Sequence, residues 1–214
     1  MTVELVHCTP NAEWLIVKMA RVSNPENADN KETAPRLLRY LLKHKHFSPF
    51  EMASMCVKIE TERDIAAQII RHRSFSFQEY STRYAQTGKG AIPALRTQDL
   101  KNRQASHDDL APELSAAFET RIGYLLDDIY TLYEDLLESG IAKECARRIL
   151  PLCTPTTIFM QGTLRSWLHY IDLRAGVETQ LEHRQIAEQC KAIFCEQFPV
   201  IGEAYWPNQT GEKR

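Results

Sequence analysis

The chain contains 214 residues, which suits a single domain, and its 43% hydrophobic and 25% charged residues are enough for a sizeable core under an ordinary polar surface. Its net charge of -2 creates no overall field that would draw it onto nucleic acid or an anionic membrane. Any basic binding site must therefore be local.

Six cysteines are present, and none forms a CxxC pair, which argues against a zinc knuckle or a thioredoxin-like site. We expect free, mostly buried thiols in a reducing cytosol and hence a cytoplasmic protein. Residues 1–5 lack the basic start and apolar centre of a signal peptide. No apolar run approaches the length of a membrane span, so we do not expect a membrane as partner. Because the net charge is negative, we do not expect nucleic acid as partner either.

The first third of the chain alternates a short strand with two helices. Val3, Leu5 and Val6 predict the strand. Thr9 as N-cap with Pro10 in the first turn predicts a helix that ends near Ala20. Leucines spaced along 31–43 predict a second helix.

Residues 52–60 predict a strand, because apolar and polar side chains alternate along them. A helix follows, with Thr61 as its predicted N-cap and Asp64 completing a capping-box pattern. Its predicted buried stripe contains Ile65, Ala66, Ile69 and Ile70. Gln68 and Arg71 fall on the opposite side, which offers an amide and a guanidinium to a ligand or simply to solvent.

The second half is predicted to be mostly helical after an irregular connection at 85–112, whose length is typical of a functional lid, an insertion or a segment ordered by a partner. Apolar steps of four and three predict a helix over 113–139, whose stripe suits a core or a subunit interface: Phe118, Ile122, Leu125, Ile129, Leu132 and Leu136. Further predictions are a short helix at 142–150, a strand at 156–160, helices at 164–175 and 180–198, and a loose tail after Pro207.

The most unusual stretch is 71–84, with the sequence R-H-R-S-F-S-F-Q-E-Y-S-T-R-Y. It combines arginines, a histidine, a carboxylate, hydroxyls and aromatic rings within one short run. The arginine fork fits phosphate oxygens in pairs, and aromatic side chains offer flat surfaces to a ring. The residues alone therefore predict a phosphorylated ligand that carries an aromatic base.

This stretch resembles the signature of flavin-dependent thymidylate synthases, R-H-R-x-x-S-x-N-E-x-S-x-R-Y. The matching residues are Arg71, His72, Arg73, Ser76, Glu79, Ser81, Arg83 and Tyr84, and Gln78 stands where the pattern has Asn. Three further blocks are similar to the family in the same order: H-x-x-P-F-E at 46–51, A-R-x-x-L-P at 146–151, and an L-R-x element in the helix at 164–175. The resemblance covers nearly the whole chain.

The resemblance implies an α/β (α+β) fold: one domain over 1–214, with a small mixed or antiparallel sheet flanked by many helices. It implies the reductive methylation of dUMP to dTMP, with methylenetetrahydrofolate as the carbon donor and NADPH as the reductant of FAD. It also implies a homotetramer with active sites where subunits meet.

The resemblance assigns residues to each ligand. For dUMP these are Gln68, Arg71, Glu79, Ser81, Thr82, Arg83, Arg147 and Arg174. For FAD they are Ser23, His46, Ser48, Glu51, Arg71, His72, Arg73, Glu79, Thr163, Arg165 and His169. No metal is expected. Arg174 is the predicted catalytic residue, because a guanidinium beside the pyrimidine stabilises its anionic form and raises electron density on carbon 5.

Other readings remain open from the sequence. Arg147 and Arg174 lie in last turns of predicted helices, where the dipole favours a cation without any ligand. Ser81 is a candidate nucleophile without an evident base, and no cysteine stands in an electropositive motif. The motif also suits a module that binds single-stranded nucleic acid. A metal-dependent phosphohydrolase would use the histidines His44, His46, His72 and His183.

Overall fold

The polypeptide alternates helices with strands along residues 1–207, the range that the computed structural model describes. In chain order the elements are β1 (Thr2–Cys8), α1 (Ala12–Ala20), α2 (Ala34–Lys43), β2 (Ser54–Glu62), α3 (Arg63–Ile69), β3 (Ser76–Glu79), β4 (Thr97–Gln98), β5 (Ser106–His107), α4 (Pro112–Glu138), α5 (Lys143–Ala146), β6 (Pro155–Thr163), α6 (Leu164–Arg174), α7 (Leu181–Gln197) and α8 (Pro199–Tyr205). Short 3₁₀ turns occupy Pro25–Asn27, Ser48–Met52 and Arg147–Ile149.

The main sheet has the strand order β1-β2-β6-β3, and each neighbouring pair is antiparallel. The long strands β2 and β6 form its centre and pair from end to end. The short strands β4 and β5 pair only with each other. This arrangement confirms the expected α+β fold and shows that the sheet is antiparallel.

The main core lies between the central strands and the helices α3, α6 and α7. Met55, Val57 and Ile59 of β2 are fully buried, as their alternation predicts. The indole Nε1 of Trp167 in α6 donates a 2.9 Å hydrogen bond to the backbone oxygen of Met55. Helix α6 is therefore fixed against the sheet, which sets the position of the polar residues at its end.

Two predicted helix starts are wrong. Helix α1 begins at Ala12, because Thr9 pairs with the sheet: its amide donates to the Ser54 oxygen, and its hydroxyl accepts from the Ser54 amide, each at 2.9 Å. Thr61 is a strand residue that faces Thr156 in β6, and α3 begins only at Arg63. In both cases a distant strand takes up the residue that local preference assigns to a cap.

Helix α4 matches its predicted length, but its buried face differs from the predicted stripe. Leu126, Tyr130 and Tyr133 are buried in a second, smaller core against α5. Of the predicted stripe, Leu125 is 60% exposed and Leu132 51% exposed in the protomer. Ile122 and Leu136 of the stripe are half-buried against this second core, so the prediction of a core role holds for part of the stripe. For the exposed members the role as a subunit interface stays a prediction.

The short strands β3, β4 and β5 were not predicted, whereas the remaining predicted elements lie close to their expected bounds. The prediction that Ile70 is buried is wrong, because its side chain is 41% exposed directly after the end of α3. Helix α8 was not predicted, since the final helix was expected to end the fold. The predicted loose tail after Pro207 lies outside the described residues. All six cysteines lie within the described range and carry free thiols.

Candidate active site

A largely buried polar cluster lies where α3, α6 and α7 meet, and we call Gln68, His72, Tyr170, Arg174 and His183 the Arg174 cluster. Nε of Arg174 donates a 2.8 Å hydrogen bond to Nε2 of His72. The His72 ring meets the Tyr170 ring edge to face at 4.9 Å, and the Tyr170 hydroxyl lies 3.2 Å from Nε2 of His183. Nδ1 of His183 lies 3.4 Å from the amide oxygen of Gln68. The fold thus joins Gln68 and Arg174 through one network.

Both histidines of the Arg174 cluster are neutral at pH 7. Burial, then the charges of Arg174 and His169, lower the pKa of His72 from 6.5 to about 4. Burial, then Arg174 and His72, lower the pKa of His183 from 6.5 to about 4. Because Arg174 donates to Nε2 of His72, the His72 proton sits on Nδ1. The neutral His72 ring therefore holds the guanidinium in place without the opposing charge that a carboxylate partner would bring.

A second group of predicted residues lines a cavity of about 470 Å³ between α6 and the turn Ser48–Met52, which we call the Arg165 cavity. Glu51 and Arg165 form an ion pair there. His169, one helical turn after Arg165, and Ser74 of the motif also line it. Three residues that the resemblance assigns to FAD are therefore brought together from distant parts of the chain.

A third group centres on Arg63. One nitrogen of its guanidinium lies 3.5 Å from Oε1 of Glu79. The other donates to the Tyr80 backbone oxygen at 3.3 Å and to the Thr82 hydroxyl at 3.2 Å. The hydroxyl of Thr156 donates to the same Glu79 oxygen at 3.0 Å. Arg63 thus holds two motif residues, Glu79 and Thr82, in one arrangement.

Sequence reasoning missed Arg63. A signal was available, because Arg63 is a cation in the first turn of α3, where the helix dipole disfavours positive charge. A residue placed against this preference often has a partner elsewhere, and here the partner is the carboxylate of Glu79.

The end of the motif faces α5. Arg83 lies 3.4 Å from Oε2 of Glu144, and Ser81 and Arg83 line a cavity of about 440 Å³ with the start of α5. Arg147 begins the 3₁₀ turn that follows α5 and is half-buried. Ser81 and Arg83, in the loop after β3, therefore face the start of α5, and Arg147 lies in the turn directly after that helix.

The remaining predicted residues are more dispersed. Arg71 and Arg73 are exposed. The Arg71 amide donates to the Gln68 backbone oxygen at 3.3 Å, but neither guanidinium forms a hydrogen bond or an ion pair within residues 1–207. His46 is also exposed, with its ring 6.1 Å from that of His44. Ser48 opens the turn that carries Glu51, whereas Ser23 is exposed in the turn between α1 and α2.

Thr163 has a structural role that the sequence prediction did not include. Its hydroxyl accepts a 3.2 Å hydrogen bond from the Ser166 amide and so caps the N-terminus of α6. The same hydroxyl lies 3.2 Å from the Ser166 hydroxyl, a residue that lines the Arg165 cavity. Thr163 therefore orients the helix that carries Arg165 and His169.

The structure offers no support to the metal hypothesis. In the described part of the chain, no three His, Cys, Asp or Glu side chains form a group that could hold a metal ion. The four histidines of that hypothesis form two pairs: His44 with His46, and His72 with His183. Among the residues described, no helix has the length and apolar character needed to cross a membrane.

Four of the six thiols are in surroundings that disfavour the reactive thiolate. Burial raises the pKa of the thiols of Cys56, Cys153, Cys190 and Cys195. A thiol whose pKa is raised forms little thiolate at neutral pH and is a poor nucleophile.

Known protein families and individual proteins match most of the chain. Residues 4–200 match the family model described as "Thymidylate synthase complementing protein". A probable flavin-dependent thymidylate synthase of Paramecium bursaria Chlorella virus 1 is 50% identical over 205 residues, 95% of each chain. A flavin-dependent thymidylate synthase of Synechocystis sp. is 44% identical over 192 residues, 90% of this chain and 88% of that protein.

Solved structures are similar to this chain over nearly its whole length. The crystal structure of a UMP/dUMP methylase PolB from Streptomyces cacaoi, bound with 5-Br dUMP, superposes with a TM-score of 0.82 at 31% identity. It covers 95% of this chain and 93% of the methylase. The same methylase bound with 5-Br UMP superposes with a TM-score of 0.84 at 29% identity, covering 95% and 92% of the two chains. With the Arg71–Tyr84 motif and the clusters around it, these matches show that the chain belongs to the family of flavin-dependent thymidylate synthases.

Proposed function

We propose that this chain catalyses the reductive methylation of dUMP to dTMP, with methylenetetrahydrofolate as carbon donor and FAD reduced by NADPH. The observation that carries the proposal is its membership of the flavin-dependent thymidylate synthase family over residues 4–200. We take residues 1–214 as one such domain. Its free thiols suit a reducing compartment, and we propose the cytoplasm as its location.

We propose that dUMP binds between the motif and the Arg174 cluster. Its phosphate would contact Ser81, Thr82, Arg83, Arg71 and Arg147, since guanidinium and hydroxyl groups are good donors to phosphate oxygens. Two ion pairs support this phosphate site. Glu144 holds the Arg83 guanidinium in place until a phosphate competes for it, and Arg63, paired with Glu79, holds the Thr82 hydroxyl.

Gln68 and Arg174 would hold the pyrimidine. The guanidinium of Arg174 stabilises negative charge that develops on the ring, and so raises electron density on carbon 5, which must attack the carbon donor. The neutral state of His72 supports this role, because a neutral neighbour accepts from Arg174 without cancelling its charge. This activation needs no covalent nucleophile.

The residues of the Arg165 cavity fit FAD. Its diphosphate is an anion, and Arg71, Arg73 and Arg165 are exposed cations that could bind it. His72, His169, Glu51, Glu79, Ser48, His46, Thr163 and Ser23 are the further candidates from the family resemblance. Bound there, FAD would supply the reducing equivalents for the methylation. Glu51 and Arg165 would then exchange their mutual ion pair for contacts to the cofactor.

We propose that the active protein is a homotetramer whose sites form between subunits. The exposed apolar residues Phe118, Leu125 and Leu132 of α4 support a subunit interface, because so long an apolar stripe is rarely left to solvent. The dispersal of predicted ligand residues over several clusters of one protomer also supports sites completed by a second subunit.

The direct test is dTMP formation by the purified protein from dUMP, FAD, NADPH and methylenetetrahydrofolate, with each component omitted in turn. Product that requires all four supports the proposal, and no product with all four present contradicts it. UMP should be assayed beside dUMP, because the solved relative acts on both. A preference for UMP would replace dUMP as the substrate and leave the chemistry unchanged.

A further inference from the structure

The long loop between β3 and α4 is attached to the body of the protein by Arg96. Its guanidinium forms a two-pronged ion pair with Glu182 in the first turn of α7, at 2.6 Å and 2.9 Å. The two side chains are only 13% and 16% exposed, so water screens the pair weakly. Nε of Arg96 also donates to the Ser106 hydroxyl at 2.9 Å, which fixes the guanidinium from the loop side.

Glu182 determines the direction of the next hydrogen bond. Its carboxylate accepts a 3.0 Å bond from the amide nitrogen of Gln180, and an ionised carboxylate can only accept. The Gln180 oxygen must then point away from Glu182. It accepts a 2.7 Å bond from the amide nitrogen of Gln68. Burial raises the pKa of Glu182, but bonds from Arg96 and Gln180 keep it below its usual value.

The order of hydrogen-bond donors and acceptors set by Glu182 continues into the Arg174 cluster. With its nitrogen turned toward Gln180, Gln68 presents its oxygen to His183, so Nδ1 of His183 donates and Nε2 accepts from the Tyr170 hydroxyl. His183 is fully buried and neutral, so it holds a single proton, whose position this chain of bonds selects. Gln68 then has one amide hydrogen that neither Gln180 nor His183 engages.

We propose that Glu182, fixed by Arg96, is a positioning residue that orients the Gln68 amide so that it offers a hydrogen-bond donor, not an acceptor, to a carbonyl oxygen of the substrate pyrimidine. The proposal rests on the proposed function only for the identity of the substrate. The orienting role itself concerns hydrogen bonds within this chain. Arg96, 28 residues beyond Gln68 in the sequence, thereby connects the loop to the base-binding end of the site.

Glu182→Gln tests this directly. The new amide can donate to the Gln180 oxygen, which permits Gln180 and Gln68 to turn over and makes Nδ1 of His183 an acceptor. We expect the His183 proton to move from Nδ1 toward Nε2, as read from long-range ¹⁵N–¹H spectra of histidine side chains, with His183→Gln used for assignment. We expect KM for dUMP to rise about tenfold, as for the loss of one hydrogen bond, with a smaller change in kcat.

Glu188→Gln is the matched control, because Glu188 is exposed on the same helix. It should preserve both the His183 tautomer and KM. If Glu182→Gln folds poorly, Gln180→Met interrupts the chain of bonds while leaving the Arg96–Glu182 pair, and should give a mixture of His183 tautomers. An unchanged Nδ1–H tautomer in these variants overturns the proposal. Absence of dTMP synthesis by the unmodified protein would refute the proposed function, but the tautomer result would still decide the orienting role.

Discussion

Arg174 and His72 are joined by a hydrogen bond of 2.8 Å, although 101 residues separate them in the chain. The bond fixes the guanidinium at the end of α6 against the first residues of the Arg71–Tyr84 motif, and it fixes the His72 tautomer at the same time. Because Arg174 uses Nε for this bond, the outer nitrogens of the fork remain for a ligand.

Replacing Arg174 by Ala should lower turnover strongly while FAD binding persists. Removing a donor that stabilises developing negative charge lowers kcat by about 10² to 10³-fold. The measurements are dTMP formation and a flavin titration followed by absorbance. Arg36→Ala, which removes an exposed arginine on α2, is the control. Undiminished dTMP formation in Arg174→Ala would refute the catalytic assignment.

Burial of neutral His183 should make stability depend on pH. Its pKa is about 4 in the folded protein and 6.5 when unfolded, so its contribution is complete above pH 6.5 and declines as pH falls toward 4. By pH 5 the loss should be about 2 kcal/mol, at 1.4 kcal/mol per pH unit. Urea unfolding of the unmodified protein and His183→Gln, at equal concentrations and at pH 7.5 and 5.0, measures it. The stability gap between them should narrow at pH 5.0, and a constant gap would contradict the prediction.

Gly90 should be required for the loop to reach Glu182. A Cβ there would overlap the backbone oxygen of Cys153, whereas one at Gly88 would meet open space. Gly90→Ala should therefore detach the loop, increase its cleavage in limited proteolysis, and raise KM for dUMP, while Gly88→Ala should match the unmodified protein. Equal proteolysis of the two variants would show that the close approach does not hold the loop.

Charges on the apolar stripe of α4 should dissociate the assembly. Leu125→Glu with Leu132→Glu should yield smaller species by light scattering, with unchanged far-ultraviolet circular dichroism, because both side chains are exposed in the protomer. Leu100→Glu is the matched control, since Leu100 is 99% exposed on the loop. If the double variant keeps the mass of the unmodified protein, this stripe is not an interface.

The periodicity of apolar residues along the sequence predicted most helices and long strands, but it did not predict which elements pack or pair with each other. The alternation of Met55, Val57 and Ile59 identified β2, because the period of a strand is recorded in adjacent residues. Thr61 was misread as a cap, since a β-branched hydroxyl residue suits a strand as well as a helix start. The pairing of β2 with β6, nearly a hundred residues later, decides between them.

In the candidate site, too, residues with a local sequence signal were predicted and contacts between distant elements were not. The motif revealed Glu79 and Thr82 but not Arg63, whose contacts with them depend on how β3 returns beside α3. Likewise, the period of α4 identified apolar residues but not which of them find partners inside the protomer. The link from Arg96 to Glu182 spans 86 residues and has no local signal at all.

The strand order β1-β2-β6-β3 has a consequence for how the protein is made. Strand β3 carries part of the motif but pairs only with β6, which is synthesised about 80 residues later. During synthesis on the ribosome, β3 therefore remains without its pairing strand until residue 163 has left the exit tunnel. Chains that stop before β6 contain every residue of the motif and still lack the strand that aligns it.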